Sequence, residues 1–212
     1  MNLFEGDIKQ TMTSRNGIRD VSKLWTTRVI PYTFKFGDFS TSEQNTIRQA
    51  MYEYHARTCI RFVQRTTERN YIYIHKGEGC SSSVGQRGGR QDLSLGNRCV
   101  QKGVAIHELM HAVGFWHEQS RFDRDDWVII KWQNIREGEE DNFYRYSEID
   151  VSGLGVSYDY YSVMHYSATT YSSDGSPTMV ARVSGAPSQF GQLSGFSNKD
   201  VVKLNRLYSC SK

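Results

Sequence analysis

The chain has 212 residues, 38% hydrophobic and 23% charged, and its 26 basic and 23 acidic residues leave a net charge of +3. That length holds one large domain or two small lobes and can bury its own core. The interspersed charge offers no basic patch or charged block, so neither a nucleic acid nor a membrane is expected as a partner.

No stretch approaches the roughly 18 apolar residues of a membrane span. The polar start Met1 to Asp7 lacks the apolar stretch of a signal peptide, so any such signal is expected to have been removed already. From Arg28 to Phe36 the residues alternate well enough for a strand, with Pro31 tolerable at an edge or a strand start. Ser40 followed by Glu43 is a capping box, and Ile47, Ala50, Met51 and Tyr54 recur at helical spacing, predicting a helix over Thr41 to Arg57. Strands are predicted over Ile60 to Gln64 and Tyr71 to His75, followed by a glycine-laden loop from Gly77 to Gly96. Further on, Trp127 to Lys131 is short and apolar, Asn134 to Tyr144 reads as helical, Tyr158 to Ser184 as irregular, and Asn198 to Leu207 as a closing helix.

The densest chemistry lies in His107-Glu108-Leu109-Met110-His111-Ala112-Val113-Gly114-Phe115-Trp116-His117-Glu118. On a helix, residues four apart stand nearly above one another, so His107 and His111 aim both imidazoles at one point. Glu108 projects about 100° around the helix, where its carboxylate serves as general base toward a zinc-activated water. Gly114 takes the positive φ that ends a helix and turns His117 toward the same point. Three nitrogens leave the open position of a catalytic zinc, and the longer pattern is the metzincin signature. The plain alternative is an amphipathic helix with Val104, Leu109, Met110 and Val113 in the core; the third histidine and the glycine at their required places favour the metal. His55, His75 and His165 lack ligand spacing and read as structural.

Cys59, Cys80, Cys99 and Cys210 form an even set with no close pair, which favours disulfides, and hence an oxidising, extracellular setting, over a thiolate metal site. Four cysteines allow three pairings, and spacing alone does not choose among them.

After His117 the chain continues Glu118-Gln119-Ser120-Arg121-Phe122-Asp123-Arg124-Asp125, and later Ser162-Val163-Met164-His165-Tyr166; together with the histidine motif these segments resemble the astacin family of metzincin zinc metallopeptidases. The resemblance implies an α+β, two-lobed peptidase. Its N-terminal lobe carries a twisted mixed sheet with a backing helix and the zinc helix; its C-terminal lobe is mostly irregular and closes with a helix. It implies lobes of about 16–114 and 115–212 with one catalytic Zn2+ at the floor of the cleft between them. Met164 is implied as an apolar floor under the histidines, Tyr166 as a further zinc ligand that also stabilises the transition state, and the cysteines as paired Cys59–Cys210 and Cys80–Cys99. Arg121, Asp123, Arg124 and Asp125 read as an ion-pair framework below the metal.

The start of the chain carries a further likeness. Phe4-Glu5-Gly6-Asp7 is similar to the Phe-x-Gly-Asp motif of astacin propeptides, and Asn16 to Trp25 is similar to the first residues of mature astacins, with Arg15 just before. The resemblance implies a propeptide over 1–15 and a catalytic domain over 16–212, with Asp7 occupying the zinc until a trypsin-like protease cuts after Arg15. The freed Asn16 ammonium then meets Glu118. A disordered leader is the competing account of residues 1–15. The implied activity is secreted hydrolysis of internal peptide bonds in protein or peptide substrates, Glu108 moving the proton and Tyr166 donating to the oxyanion. Arg182, in a stretch resembling the wall of the pocket for the residue after the cut, would select Asp or Glu; a solvated surface arginine is the alternative. A zinc-containing binding protein on the same scaffold is the rival function, and its mark, loss of the glutamate, is absent here.

Overall fold

The computed structural model describes residues 3–9, 21–148 and 152–211. Arg15 and Asn16, the expected cleavage site and new N-terminus, lie outside the described residues.

A five-stranded mixed sheet in the order β2-β1-β3-β5-β4 is built from β1 (Val29–Phe34), β2 (Arg61–Gln64), β3 (Tyr71–His75), β4 (Cys80–Ser81) and β5 (Arg90–Leu95). β2, β1, β3 and β5 run parallel, and β4 closes the edge antiparallel to β5. β1 is an interior strand, so Pro31 is at neither an edge nor a strand start. The proline is tolerated because the β3 ladder begins at Tyr32↔Ile72, one residue beyond it.

Helix α1 (Thr41–Arg57) forms with the expected bounds, its Ser40–Glu43 box closed in both directions. Ile47, Ala50, Met51 and Tyr54 are its buried face. Tyr54 spans to helix α2 (Lys102–Ala112), donating its hydroxyl to the Ile106 carbonyl at 2.7 Å, and Lys102 meets Glu53 at 2.9 Å. α1 and α2 pack against each other and each against the sheet, α1 on β2 and α2 on β5 and β4, and α2 is buried on most sides, from Gly103 to Ala112, which fixes the direction of its histidines. Trp25 seals its C-terminal end, the indole donating to the Ala112 carbonyl at 2.9 Å.

Three expectations are corrected. The Gly77–Gly96 loop contains β4 and β5, whose polar sequence gives no alternation; Gln91 and Ser94 are buried in β5 because their side chains donate to the Gly85 and Gly79 carbonyls. Asn134 to Tyr144 is not a helix but two short 3-10 turns, Trp132–Asn134 and Glu140–Phe143. Gly138 at φ +87 interrupts it, and Ile135 bridges to Ser172 instead. The irregular stretch from Tyr158 contains β7 (Met179–Ala181), antiparallel to β6 (Val128–Ile130).

The closing helix α3 (Asn198–Leu207) has the expected bounds, with a Ser197–Asp200 capping box. Its Val201 and Leu204, with Tyr208 just beyond, join the large core of the sheet, α1 and α2, as do Val163 and Met164. A second, smaller core gathers Val128, Ile135, Phe143, Tyr158, Tyr166, Met179 and Phe190. Cys59–Cys210 ties the end of the chain to the segment after α1, and Cys80–Cys99 closes the loop across β4 and β5.

Candidate metal centre

α2 presents His107 and His111 from successive turns, and the chain then reverses. Gly114, at φ +113, ends the helix in a conformation an L side chain rarely adopts, so that His117 faces the other two. The Nε2 atoms of His111 and His117 lie 3.1 and 3.3 Å from that of His107.

Each ring is fixed from behind. His107 Nδ1 donates to the Val163 carbonyl at 2.7 Å, His111 Nδ1 to the Phe115 carbonyl at 2.7 Å, and His117 Nδ1 to the Glu5 carboxylate at 2.6 Å. With every Nδ1 placed to donate, the rings in their neutral form turn three Nε2 lone pairs toward one point, where a cation would be held. The fourth group is Asp7. Its Oδ2 lies 3.0 Å from His107 Nε2 and 3.2 Å from His117 Nε2, and its Oδ1, 3.5 Å from His111, is buried without a hydrogen bond.

Asp7, His107, His111 and His117 are the only such group of possible metal ligands among the described residues. A tetrahedral zinc with ligands at about 2.0–2.1 Å sets its donor atoms roughly 3.3 Å apart, and the spacing here matches that demand. Three imidazoles and one carboxylate are also the nitrogen-and-oxygen donor set that suits zinc.

The electrostatics show the same need for positive charge. Burial alone would raise the Asp7 carboxyl, but the charges of His117 and His111 and the hydrogen bond from His107 outweigh it and hold the group well below its ordinary range. Burial lowers His117, yet Asp7 and Glu5 together push it up to about 10. His111 lacks the second carboxylate, and burial takes it down to about 4. Glu108 is buried beside this cluster with Oε2 unpartnered, and burial reinforced by the Asp7 charge raises it well above an ordinary carboxyl.

Ser162 to Tyr166 forms the far wall. Met164 is buried and its carbonyl accepts the Glu118 N–H at 2.9 Å. Tyr166 packs its ring 4.8 Å from that of His117, and its hydroxyl donates to the Glu5 carbonyl at 2.6 Å. Glu118 is held by Arg121 at 3.1 Å, by the Asp159 N–H at 2.9 Å and by the Lys203 ammonium. Arg121 in turn grips Asp123 with two nitrogens at 2.8 Å, and Arg124 donates to Asp125 and to the Gln119 and Phe143 carbonyls. Arg182 is exposed at the end of β7, its backbone N–H donating to the Trp127 carbonyl, and it lies outside the cluster. His55 accepts the Phe62 N–H and His165 bonds Tyr158; both stand apart from the centre.

Sequence reasoning missed Glu5, Ser120, Asp200 and Lys203. Asp200 alone left a legible signal, as the third residue after the cap Ser197; the others are defined by partners far away in the chain.

A mixed sheet backed by two helices, with three histidines and a carboxylate converging at the end of one of them, defines a zinc-dependent peptidase of the metzincin type. A family model described as Astacin (Peptidase family M12A) matches residues 17–209. The chain belongs to the astacin family of zinc metallopeptidases. It is similar to zinc metalloproteinase nas-15 of Caenorhabditis elegans, 45% identical over 92% of this chain and 34% of the relative. It is also similar to the meprin A beta subunit of Mus musculus, 43% identical over all of this chain and 30% of the relative. The chain thus spans about a third of the length of these curated relatives. Among solved structures it resembles high choriolytic enzyme 1, a hatching enzyme zinc-protease from Oryzias latipes, with a TM-score of 0.81 and 36% identity, covering 97% of this chain and 100% of that one.

Proposed function

We propose that the chain is the latent form of a secreted zinc endopeptidase, with residues 1–15 as propeptide, 16–212 as catalytic domain in lobes of about 16–114 and 115–212, and cleavage after Arg15 by a trypsin-like protease as the activating step. One observation carries this reading: the Asp7 carboxylate stands where the three Nε2 atoms converge, the place a scissile carbonyl and its attacking water must reach. The backbone of the same segment is locked in place, Lys9 N–H donating to the Ser82 carbonyl at 2.7 Å and Ser82 N–H to the Asp7 carbonyl at 2.9 Å, beside β4.

When bound, zinc would supply Lewis acidity to the substrate carbonyl and acidity to water. Glu108 is the general base, and its raised affinity for a proton in the latent state follows partly from Asp7; departure of Asp7 removes that repulsion and leaves Glu108 free to accept and return a proton. Tyr166, released from the Glu5 carbonyl, has a hydroxyl free to donate to the oxyanion. The freed Asn16 ammonium is assigned to Glu118, next to a cavity of about 30 Å³ bounded by residues that include Trp116, Arg121, Ser152, Gly153 and Lys203. Glu118 already holds two cations, so its charge is not left alone before activation. Arg182 is the residue assigned to an acidic preference after the cut. Two disulfides favour an extracellular setting, and no described helix is long and apolar enough to cross a membrane.

Oxidised full-length protein assayed on an unfolded protein substrate before and after trypsin tests the reading. Activity is expected only after trypsin, with loss on chelation and in Glu108→Ala, and Asp7→Ala is expected to be active without trypsin. Equal activity of the uncut wild type would remove the latency, and activity surviving in Glu108→Ala would remove the mechanism.

A further inference from the structure

Glu5 is a charged residue only 2% exposed, yet it belongs to a segment of the chain with no core of its own. Its two oxygens are used separately. Oε2 accepts from His117 Nδ1 at 2.6 Å and Oε1 from the Ser120 hydroxyl at 2.5 Å. The Tyr146 hydroxyl is buried without a hydrogen bond, and the Tyr146 and Trp116 rings pack against Phe4.

The backbone is bent to deliver this side chain. Glu5 has φ +48 and Gly6 φ +78, two successive left-handed residues that reverse the chain between Phe4 and Ile8. Gly6 is required, since a Cβ there would fall 1.8 Å from the Tyr171 hydroxyl oxygen. Glutamate in the left-handed region is disfavoured by its own sterics, so the anchoring of its carboxylate and carbonyl must hold it there.

We propose that the cleft contains a second carboxylate-accepting pocket, formed by His117 Nδ1–H and the Ser120 hydroxyl, and that Glu5 fills it as an anchor independent of Asp7. The proposal rests on the reading of this segment as the lock. Asp7 grips the metal site from the front; Glu5 grips His117 from behind. A carboxylate accepting from the far nitrogen of a histidine ligand fixes its tautomer and strengthens it as a donor, so Glu5 supports the centre as well as the segment. Two carboxylates also balance a divalent ion held by three neutral imidazoles. The two anchors leave together on activation.

Full-length zinc-loaded protein serves for the test, comparing wild type with Glu5→Ala, Glu5→Gln and Ser120→Ala. Two quantities are read: hydrogen exchange at the Ile8 and Lys9 amides, and zinc transfer to a chromophoric chelator. Glu5→Ala is expected to speed exchange at both amides by about ten- to a hundredfold and zinc transfer by a similar factor, Ser120→Ala and Glu5→Gln moving both in the same direction by less. After zinc is stripped from wild type, the two amides are expected to stay slower than in stripped Glu5→Ala. Changes within about twofold of wild type in Glu5→Ala, or stripping that frees the wild-type segment as fully as that variant, would overturn the second anchor. Neither quantity depends on latency, which is read separately from the activity of Asp7→Ala.

Discussion

The Asp200 carboxylate, on α3, accepts the backbone N–H of Val163 at 3.0 Å, and the Val163 carbonyl in turn accepts from His107 Nδ1 at 2.7 Å. A residue 93 positions after the first histidine therefore supports the orientation of that ring through one intervening residue, Val163. The other Asp200 oxygen takes the Ser162 hydroxyl at 2.6 Å, so the Ser162–Tyr166 wall is pinned from below at two atoms.

Replacing Asp200 with alanine is expected to loosen that wall without touching the donor set. Zinc should transfer to a competing chelator about 10–100-fold more readily, in the range for loss of an outer support of a metal ligand. A competition titration of the folded variant measures it, and unchanged zinc affinity would detach Asp200 from the centre.

Lys203 and Glu118 form a buried pair, each side chain about 5–6% exposed. Lys203→Met removes one partner and leaves Glu118 with Arg121 and the Asp159 N–H, at a cost expected to be about 3–5 kcal/mol in urea unfolding. The double variant Lys203→Met with Glu118→Gln should recover part of that loss, because it no longer strands a charge. A single variant as stable as wild type would show the pair to be energetically idle.

The two disulfides close loops of different length, with sequence separations of 151 and 19. On the chain-entropy account, replacing both cysteines of Cys59–Cys210 with alanine should cost about 5 kcal/mol, against about 3 kcal/mol for Cys80–Cys99. Thermal unfolding of the two double variants ranks them, and the reverse order would contradict the account.

Acid stability follows partly from Glu43, whose carboxyl is lowered to about 2 by the Lys76 hydrogen bond and then by its capping bonds to Ser40. A carboxyl depressed in the folded state contributes stability that is present above its ordinary 4.5 and lost as pH falls from there toward about 2. Glu43→Gln should therefore lower stability at neutral pH and flatten its decline across that window, as measured by urea unfolding at a series of pH values. An unaltered slope would assign the acid sensitivity elsewhere.

Local signals made α1 legible, because it begins with a serine box and carries apolar residues at helical spacing; α3 was legible as a closing helix, and its own Ser197–Asp200 box went unread. The metal ligands were legible for a similar reason: three of them fall within eleven residues, on one helix and the turn after it. Asp7 entered only through likeness to a propeptide motif, since nothing near it in sequence reveals a partner a hundred residues away. β5 was hidden because its polar residues are satisfied by carbonyls of a neighbouring loop rather than by solvent. Asn134 to Tyr144 misled for the opposite reason: a helical composition yields to Gly138 and to distant bonds with Tyr171, Ser172 and Arg124. Glu5 gave no signal of its own, because the groups its carboxylate meets, His117 and Ser120, lie more than a hundred residues away.

The central claim is a single zinc held by His107, His111 and His117. X-ray absorption at the zinc edge, combined with elemental analysis of the oxidised full-length protein, tests it most directly. The account predicts one zinc per chain with three imidazole nitrogens and at least one oxygen at about 2.0–2.1 Å. No stoichiometric zinc, sulfur among its ligands, or full occupancy retained after His111→Ala would contradict it.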